Sequence, residues 1–334
     1  MQTKTNKQVI LVSRPTGWVS ADNFKLIDAA IPVLKDGQVL IRNQWLSLDP
    51  YMRGRISDAK SYAQNVEIGQ LMVGGTVGEV IESTSPGFKV GDTVLAATGW
   101  QLYAAMNAEQ VLKINTTQVR PSAYLGILGM PGITAWRGLM EICEPKAGET
   151  VVVDAASGAV GSVVGQLAKH LGCRVVGIAG GTDKCRYVVE ELGFDACVDH
   201  RSNNFEAELK AQLPNGIDCL FENVGGPIFE LLLSLMNPFS RIALCGMVSE
   251  FNQPAHAYKT IRSILINRIK IQGFIVSDKL ESWPAIRSSL HDLVATGKLK
   301  FRESVAQGLE SAPEAFVGML KGKNFGKQLV KLSD

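Results

Sequence analysis

From Glu149 onward the chain repeats one unit, a short apolar strand followed by a turn and an amphipathic helix, and this repeat constrains the fold most. Residues 150–155, 174–179, 196–199, 217–222, 241–246 and 269–276 read as strands. Residues 160–171, 184–192, 205–213, 228–236, 258–266 and 283–295 read as helices. Stretches such as Val151-Val152-Val153 and Ile217-Asp218-Cys219-Leu220-Phe221 are apolar on both faces, as parallel strands covered by helices must be. Alternation of this length predicts an α/β fold with a doubly wound, Rossmann-type parallel sheet. The first third is different. Residues 8–13, 38–46, 70–82 and 92–97 are short β-type runs bounded by Gly, Pro or Asp. A chain of 334 residues has room for two domains of about 150 residues each. Gly297 closes the last helix and the tail from Phe301 resumes short strands. The expectation is therefore a mostly β domain over residues 1–125, completed by 298–334, and a doubly wound α/β domain over 126–297.

Composition excludes several functions. Lysine plus arginine is 34 and aspartate plus glutamate is 32, a net charge of +2 that leaves no electrostatic footprint for nucleic acid. No apolar run approaches the roughly 18 residues of a membrane span. Met1-Gln2-Thr3-Lys4-Thr5-Asn6-Lys7 is basic but precedes no apolar stretch, so the expectation is no signal peptide and a cytoplasmic location. The six cysteines include no CxxC, their tightest spacing being twelve residues, and the four histidines form no HExxH or HxxxH pair. A zinc site usually takes two of its ligands from one local turn. No metal is expected, and the cysteines read as buried apolar residues.

The turn after the first parallel strand is Asp154-Ala155-Ala156-Ser157-Gly158-Ala159-Val160-Gly161. Gly158 lets the backbone approach a pyrophosphate and Gly161 permits close helix–strand packing. The N–H groups of Ser157, Gly158, Ala159, Val160 and Gly161, with the helix dipole, would then face the phosphates. A bare strand-to-helix connection is the alternative, because Ala156 stands where the first glycine of GxGxxG would be. An NAD site wants an acid at the end of the second strand. That strand ends Gly177-Ile178-Ala179-Gly180-Gly181-Thr182, and Asp183 reads as a first-turn acid of the next helix. Lys184 and the pair His200-Arg201 could surround a 2′-phosphate, or could be solvated surface charges. NADPH is favoured over NADH.

Against that frame several motifs resemble the medium-chain dehydrogenase/reductase superfamily. Val90-Gly91-Asp92-Thr93-Val94 is similar to its barrel turn. Leu46-Ser47-Leu48-Asp49-Pro50-Tyr51-Met52-Arg53-Gly54-Arg55 is more specific, and resembles the zinc-free leukotriene/prostaglandin reductases and plant alkenal double-bond reductases. So do residues 155–161, Leu192-Gly193-Phe194-Asp195, Glu222-Asn223-Val224-Gly225-Gly226, Ile271-Gln272-Gly273-Phe274 and residues 320–327. Ala179-Gly180-Gly181 followed by Lys184-Cys185-Arg186 adds a likeness to bacterial curcumin reductases. The motifs run in order from 46 to 327.

The resemblance implies a GroES-like substrate domain, a Rossmann domain, a cleft between them and a homodimer. Zinc-dependent relatives carry a Cys and a GHE segment where this chain has Leu48-Asp49-Pro50-Tyr51 and Gly74-Gly75-Thr76-Val77-Gly78-Glu79. It implies NADPH-dependent reduction of the C=C bond of small hydrophobic enones and enals, with hydride added at the β-carbon. Charge then moves to the carbonyl oxygen, which a hydroxyl donor can stabilise. Lys184 and His200 would flank the adenosine 2′-phosphate, although the family often has Tyr at the latter position. Asn223 would meet the cofactor ribose. Cys245, Gly246, Phe274, Ile275, Val276 and Asn324 would line the nicotinamide side, with core packing the alternative for Phe274 and Val276. Met130-Pro131-Gly132-Ile133-Thr134 also resembles cofactor-cleft sequence, or is a helix-initiating turn. Some plant relatives place Tyr where Ile266 stands, which leaves Tyr62 and Tyr51 as hydroxyl candidates, Tyr62 ahead because it lies in a polar loop. A zinc-free quinone oxidoreductase and a non-catalytic NADPH sensor are the competing readings.

Overall fold

A computed structural model describes residues 5–59 and 61–333. Met1–Lys4 of the N-terminal stretch discussed above, Lys60 of the loop before Tyr62, and Asp334 lie outside the described residues. Two compact units are present: Met1–Gly126 with Glu303–Asp334, and Ile127–Arg302. Residues 298–302, expected with the β domain, stay with the second unit. Gln166 holds them there, donating to the Lys300 carbonyl at 2.9 Å and accepting the Lys300 N–H at 2.8 Å. The Arg302 guanidinium also lies over the Tyr187 ring, 5.7 Å from its centroid.

In the second unit six strands form one sheet in the order Ala196–Asp199, Arg174–Ala179, Thr150–Val153, Ile217–Glu222, Met236–Leu244, Lys270–Gly273. Every pair is parallel. Counted along the chain the order is 3-2-1-4-5-6, so it reverses between Thr150–Val153 and Ile217–Glu222. Ligands of such sheets bind beyond the carboxyl ends of the strands at that reversal. One buried face of the sheet is aliphatic, through Val152, Val176, Ile178, Leu220 and Ile242. The largest corrections concern the last strands and the helix between them, while strand 150–155 ends at Val153 and helices 184–192 and 228–236 each begin and end two residues earlier. The strand expected at 241–246 is Met236–Leu244, drawn earlier by pairing of Met236 with Ile217. The helix expected at 258–266 shortens to Arg262–Asn267, and the strand at 269–276 to Lys270–Gly273. The Met130 motif is the start of helix Met130–Arg137, with Pro131 in its first turn.

Helix Gly161–His170 lies close over the sheet because Gly165 has no side chain. A Cβ there would sit 1.8 Å from the Phe194 ring. Gly165→Ala should therefore destabilise the protein by about 1–3 kcal/mol through overpacking. Thermal unfolding would show it as a lower midpoint; an unchanged midpoint would mean the helix can lift freely.

The first unit contains a seven-stranded sheet. Its path is Glu303–Gln307, Lys327–Lys331, Gln38–Ser47, Thr76–Ser83, Thr93–Ala96 and Leu112–Lys113, with Tyr103–Asn107 also on Gln38–Ser47. Asn6–Leu11 and Phe24–Ala29 pair separately and antiparallel. In this unit's core Phe24 stacks on Trp100, and Phe316 packs edge-on against both. The strand expected at 70–82 begins only at Thr76, because residues 70–72 bond instead to Asn6–Leu11, the Leu11 N–H to the Gln70 carbonyl and the Met72 N–H to the Val9 carbonyl, both at 3.0 Å. The tail contains a helix, Ala312–Leu320, as well as the expected strands.

Candidate functional site

The phosphate turn leaves strand Thr150–Val153 through Asp154 and tightens at once. Ala155 takes a left-handed φ of +45°, and the Gly158 N–H bonds back to the Ala155 carbonyl at 2.8 Å. The Ala156 N–H bonds to the Ile178 carbonyl at 2.9 Å, which ties the turn to the second strand. Helix Gly161–His170 then begins. A Cβ at Gly161 would stand 2.5 Å from the Ala155 oxygen, so glycine is required by backbone contact. Ser157 is buried, while Gly158, Ala159 and Val160 are partly exposed in front of the helix N-terminus. That is where a phosphate group is best held.

At the ends of the second and third strands His200 and Arg201 close on Gly180-Gly181, and the Lys184 charge acts on both. A Cβ built on Gly180 would lie 2.7 Å from His200 Nε2 and 3.1 Å from Arg201 Nε. Gly181 has φ +102°, with Arg201 Nη1 3.7 Å from its Cβ position. Burial lowers the Lys184 ammonium below the ordinary lysine range, and repulsion by Arg201 adds to it. His200 is lowered by burial and then by Arg201. The acids nearby are already engaged. Asp199 accepts the N–H groups of Gly181 at 2.8 Å and Arg201 at 2.9 Å. Asp183 pairs with Arg186 and is 83% exposed at the helix surface, as expected for a first-turn acid. Half-buried cations that repel one another favour a bound anion.

The turn after Ile217–Glu222 sits beside the phosphate turn. Asn223 donates its backbone N–H to Asp154 Oδ1 at 2.7 Å and its side-chain amide to the same oxygen at 3.1 Å. Cys245 and Gly246 both donate to the Glu222 carbonyl, at 2.9 and 3.2 Å. Burial pushes the Cys245 thiol up to about 12, which leaves it protonated. Phe274 packs edge-on against Phe221, with ring centroids 6.3 Å apart. The carbonyls of Ile275 and Val276 both accept from Arg137 Nη1, at 3.2 and 3.0 Å. Their backbone is therefore fixed, and Phe274 is a packing residue as well as a candidate wall.

Tyr51, Tyr62 and Asn324 belong to the first unit. Tyr51 opens the short helix Tyr51–Arg55 and packs on the Trp100 core. Its phenol is pushed up, first by burial and then by Asp49, so it holds its proton; Arg55 and Tyr62 also act on it. The two tyrosines are thus neighbours, and Tyr62 is 63% exposed. Asn324 donates to the Gly326 carbonyl at 2.8 Å. Lys327 reaches back to the same motif as Tyr51, pairing with Asp49 at 2.9 Å and donating to the Leu48 carbonyl. Sequence reading missed the buried acids Asp154 and Glu222. Their one signal is an acid at the carboxyl end of each of two mostly apolar parallel strands.

Among the described residues no three His, Cys, Asp or Glu side chains group as a metal site, and no helix is long and apolar enough to cross a membrane. The thiols of Cys185 and Cys197 are in contact, as are those of Cys143 and Cys219. Residues 7–114 match the family described as the N-terminal domain of oxidoreductase, and residues 159–292 the one described as zinc-binding dehydrogenase. The NADPH-dependent curcumin reductase of Escherichia coli K12 is 44% identical, over 99% of this chain and 98% of that protein. The NADP(+)-dependent 2-alkenal reductase of Nicotiana tabacum is 41% identical, over 98% of each. The crystal structure of CurA from Vibrio vulnificus in complex with NADPH superimposes with a TM-score of 0.94 at 47% identity, over 98% of this chain and 99% of that one. With coverage of almost the whole chain on both sides, the chain belongs to the medium-chain dehydrogenase/reductase family, in the branch that holds the curcumin, 2-alkenal and prostaglandin reductases.

Proposed function

We propose that this protein reduces the C=C bond of α,β-unsaturated ketones and aldehydes with NADPH. One observation carries the cofactor choice: His200 and Arg201 close on Gly180-Gly181 with the Lys184 charge acting on both, where an NAD site would present a carboxylate. NADPH, when bound, supplies the hydride. The residues that would hold it are Ser157–Gly161 at the pyrophosphate, Lys184, His200 and Arg201 at the 2′-phosphate, and Asn223 at the ribose. Cys245, Gly246, Phe274, Ile275, Val276 and Asn324 would line its nicotinamide side. The substrate is a conjugated carbonyl because such a bond can be reduced with one hydroxyl donor at the developing enolate oxygen.

The donor we assign is Tyr62, with Tyr51 as a wall beside it. General-acid help is typically about 10²- to 10⁴-fold, and water can replace part of it. Tyr62→Phe should then lower turnover by around 10- to 100-fold with NADPH affinity intact. Unchanged turnover, under conditions where hydride transfer is rate-limiting, would remove Tyr62 from the mechanism. Activity should also survive prolonged chelation, with no stoichiometric zinc in the purified protein. Zinc at one per chain, with activity lost on its removal, would overturn this mechanism.

An enone, enal and quinone panel with NADPH tests the reading as a whole. A saturated ketone or aldehyde supports it. A hydroquinone product alone points to a quinone oxidoreductase, and binding without oxidation of NADPH to a sensor. A cytoplasmic homodimer is part of the proposal. Among the described residues strand Lys270–Gly273 has a strand partner on one side only, and Ile261, Leu265 and Ile266 nearby in sequence are exposed. Open edges and apolar patches of this kind are commonly covered by a second copy.

A further inference from the structure

Beneath the Asn223 turn two carboxyl side chains, Asp154 and Glu222, are both fully buried. They end adjacent strands, Thr150–Val153 and Ile217–Glu222, at the point where the strand order reverses. The two carboxyls stand side by side, since one N–H, that of Val224, reaches Asp154 Oδ2 at 3.1 Å and Glu222 Oε1 at 2.8 Å. Their other partners are unequal. Asp154 accepts three N–H groups: the Asn223 backbone at 2.7 Å, the Asn223 side chain at 3.1 Å and the Val224 backbone at 3.1 Å. Glu222 Oε1 accepts the backbone N–H groups of Val224 at 2.8 Å and Gly225 at 2.6 Å. Glu222 Oε2 is buried and meets no N–H or O–H donor.

Two ionised carboxylates in contact inside a protein repel strongly, whereas one shared proton turns the contact into a short, strong hydrogen bond. The proton belongs where donors are missing, on Glu222 Oε2. Other titratable groups face the pair. Cys245 comes from the turn after Met236–Leu244, and Tyr258 acts on Glu222 while its hydroxyl donates to Glu250 at 2.7 Å. The thiol and the phenol are both held protonated by burial, so neither neutralises the pair. The donors that do reach it are amide N–H groups, which carry no full charge.

We propose that Asp154 and Glu222 share one proton, carried by Glu222, and that this acid–carboxylate pair positions the Asn223-Val224-Gly225 turn for the nucleotide. The pair is a positioning device: it acts through the turn and touches neither substrate nor cofactor. This rests on the NADPH reading above. If Glu222 is the acid, glutamine is its isostere, because an amide keeps one acceptor for Val224 and Gly225 and one donor for Asp154. If Asp154 is the carboxylate, asparagine cannot replace it, since an NH₂ group would face N–H donors.

The test uses dissociation constants for NADH at neutral pH, because NADH lacks the phosphate that Lys184 would contact. Glu222→Ala and Asp154→Ala should each weaken binding on the order of 10- to 100-fold. Glu222→Gln should restore affinity to within about threefold of wild type, and Asp154→Asn should not. Equal rescue by both amides, or by neither, overturns the assignment, and so does a Glu222→Gln protein that fails to fold. A second measurement needs no nucleotide. The infrared spectrum of the wild type minus that of Glu222→Gln should show a protonated carboxyl band at neutral pH, and its absence refutes the shared proton. A wild type that binds no nicotinamide nucleotide yet shows the band would refute the NADPH reading while leaving the shared proton established.

Discussion

A chain carrying Lys184→Ala and Arg201→Ala together should bind NADPH on the order of 10²- to 10⁴-fold more weakly, with NADH affinity almost unchanged. Each charge-assisted contact to a phosphate is worth about 1.5–3 kcal/mol, and two of them sum to this range. Lys184→Ala alone should cost about 10- to 100-fold. The pair is not strictly additive, because the two cations repel each other in the empty pocket and removing one relieves the other. Direct titration of each variant with both nucleotides gives the answer. Equal weakening of NADPH and NADH would mean that these side chains support the local fold, and the assignment of a 2′-phosphate site would fall.

How far the sequence shows this arrangement depends on how local each part is. The nucleotide unit is legible because parallel strands buried on both faces appear as continuous apolar runs. Arg174–Ala179 and Ile217–Glu222 have the expected bounds for that reason. The β unit is less legible. Phe24–Ala29, Tyr103–Asn107 and Leu112–Lys113 are not singled out by the sequence, since short antiparallel strands owe their form to distant partners. The phosphate turn and Lys184 are legible because one turn and one helix start supply them. Asp154 and Glu222 are not. They are 68 residues apart in sequence and meet only because the sheet order places their strands side by side. Tyr51 and Tyr62 are visible as residue types, but the burial that keeps the Tyr51 phenol protonated is a property of the folded core.

An even greater distance in sequence, 278 residues, hides the ion pair behind the Tyr51 motif, and here the expected effect on stability is largest. Lys327 and Asp49 are buried together, with side chains 5% and 7% exposed. The ammonium also donates to the Leu48 and Gln328 carbonyls, and Ser47 Oγ donates to the other Asp49 oxygen. Lys327–Lys331 and Gln38–Ser47 are already paired as strands, so this cluster fixes how the chain leaves the sheet toward Tyr51. Burial lowers the Lys327 ammonium while the Asp49 charge opposes it, the balance expected of a desolvated pair. Lys327→Met keeps most of the side-chain volume and leaves Asp49 without its counter-charge. Breaking a buried pair from one side costs about 3–5 kcal/mol, far above the median surface salt bridge. Adding Asp49→Leu to Lys327→Met removes the stranded charge and should recover most of that loss, because an apolar replacement of a buried pair is often neutral. Equilibrium denaturation of the two single variants and the double variant measures the coupling directly. If Lys327→Met loses less than about 1 kcal/mol, the pair behaves as a solvated one and does not hold the Tyr51 motif in place.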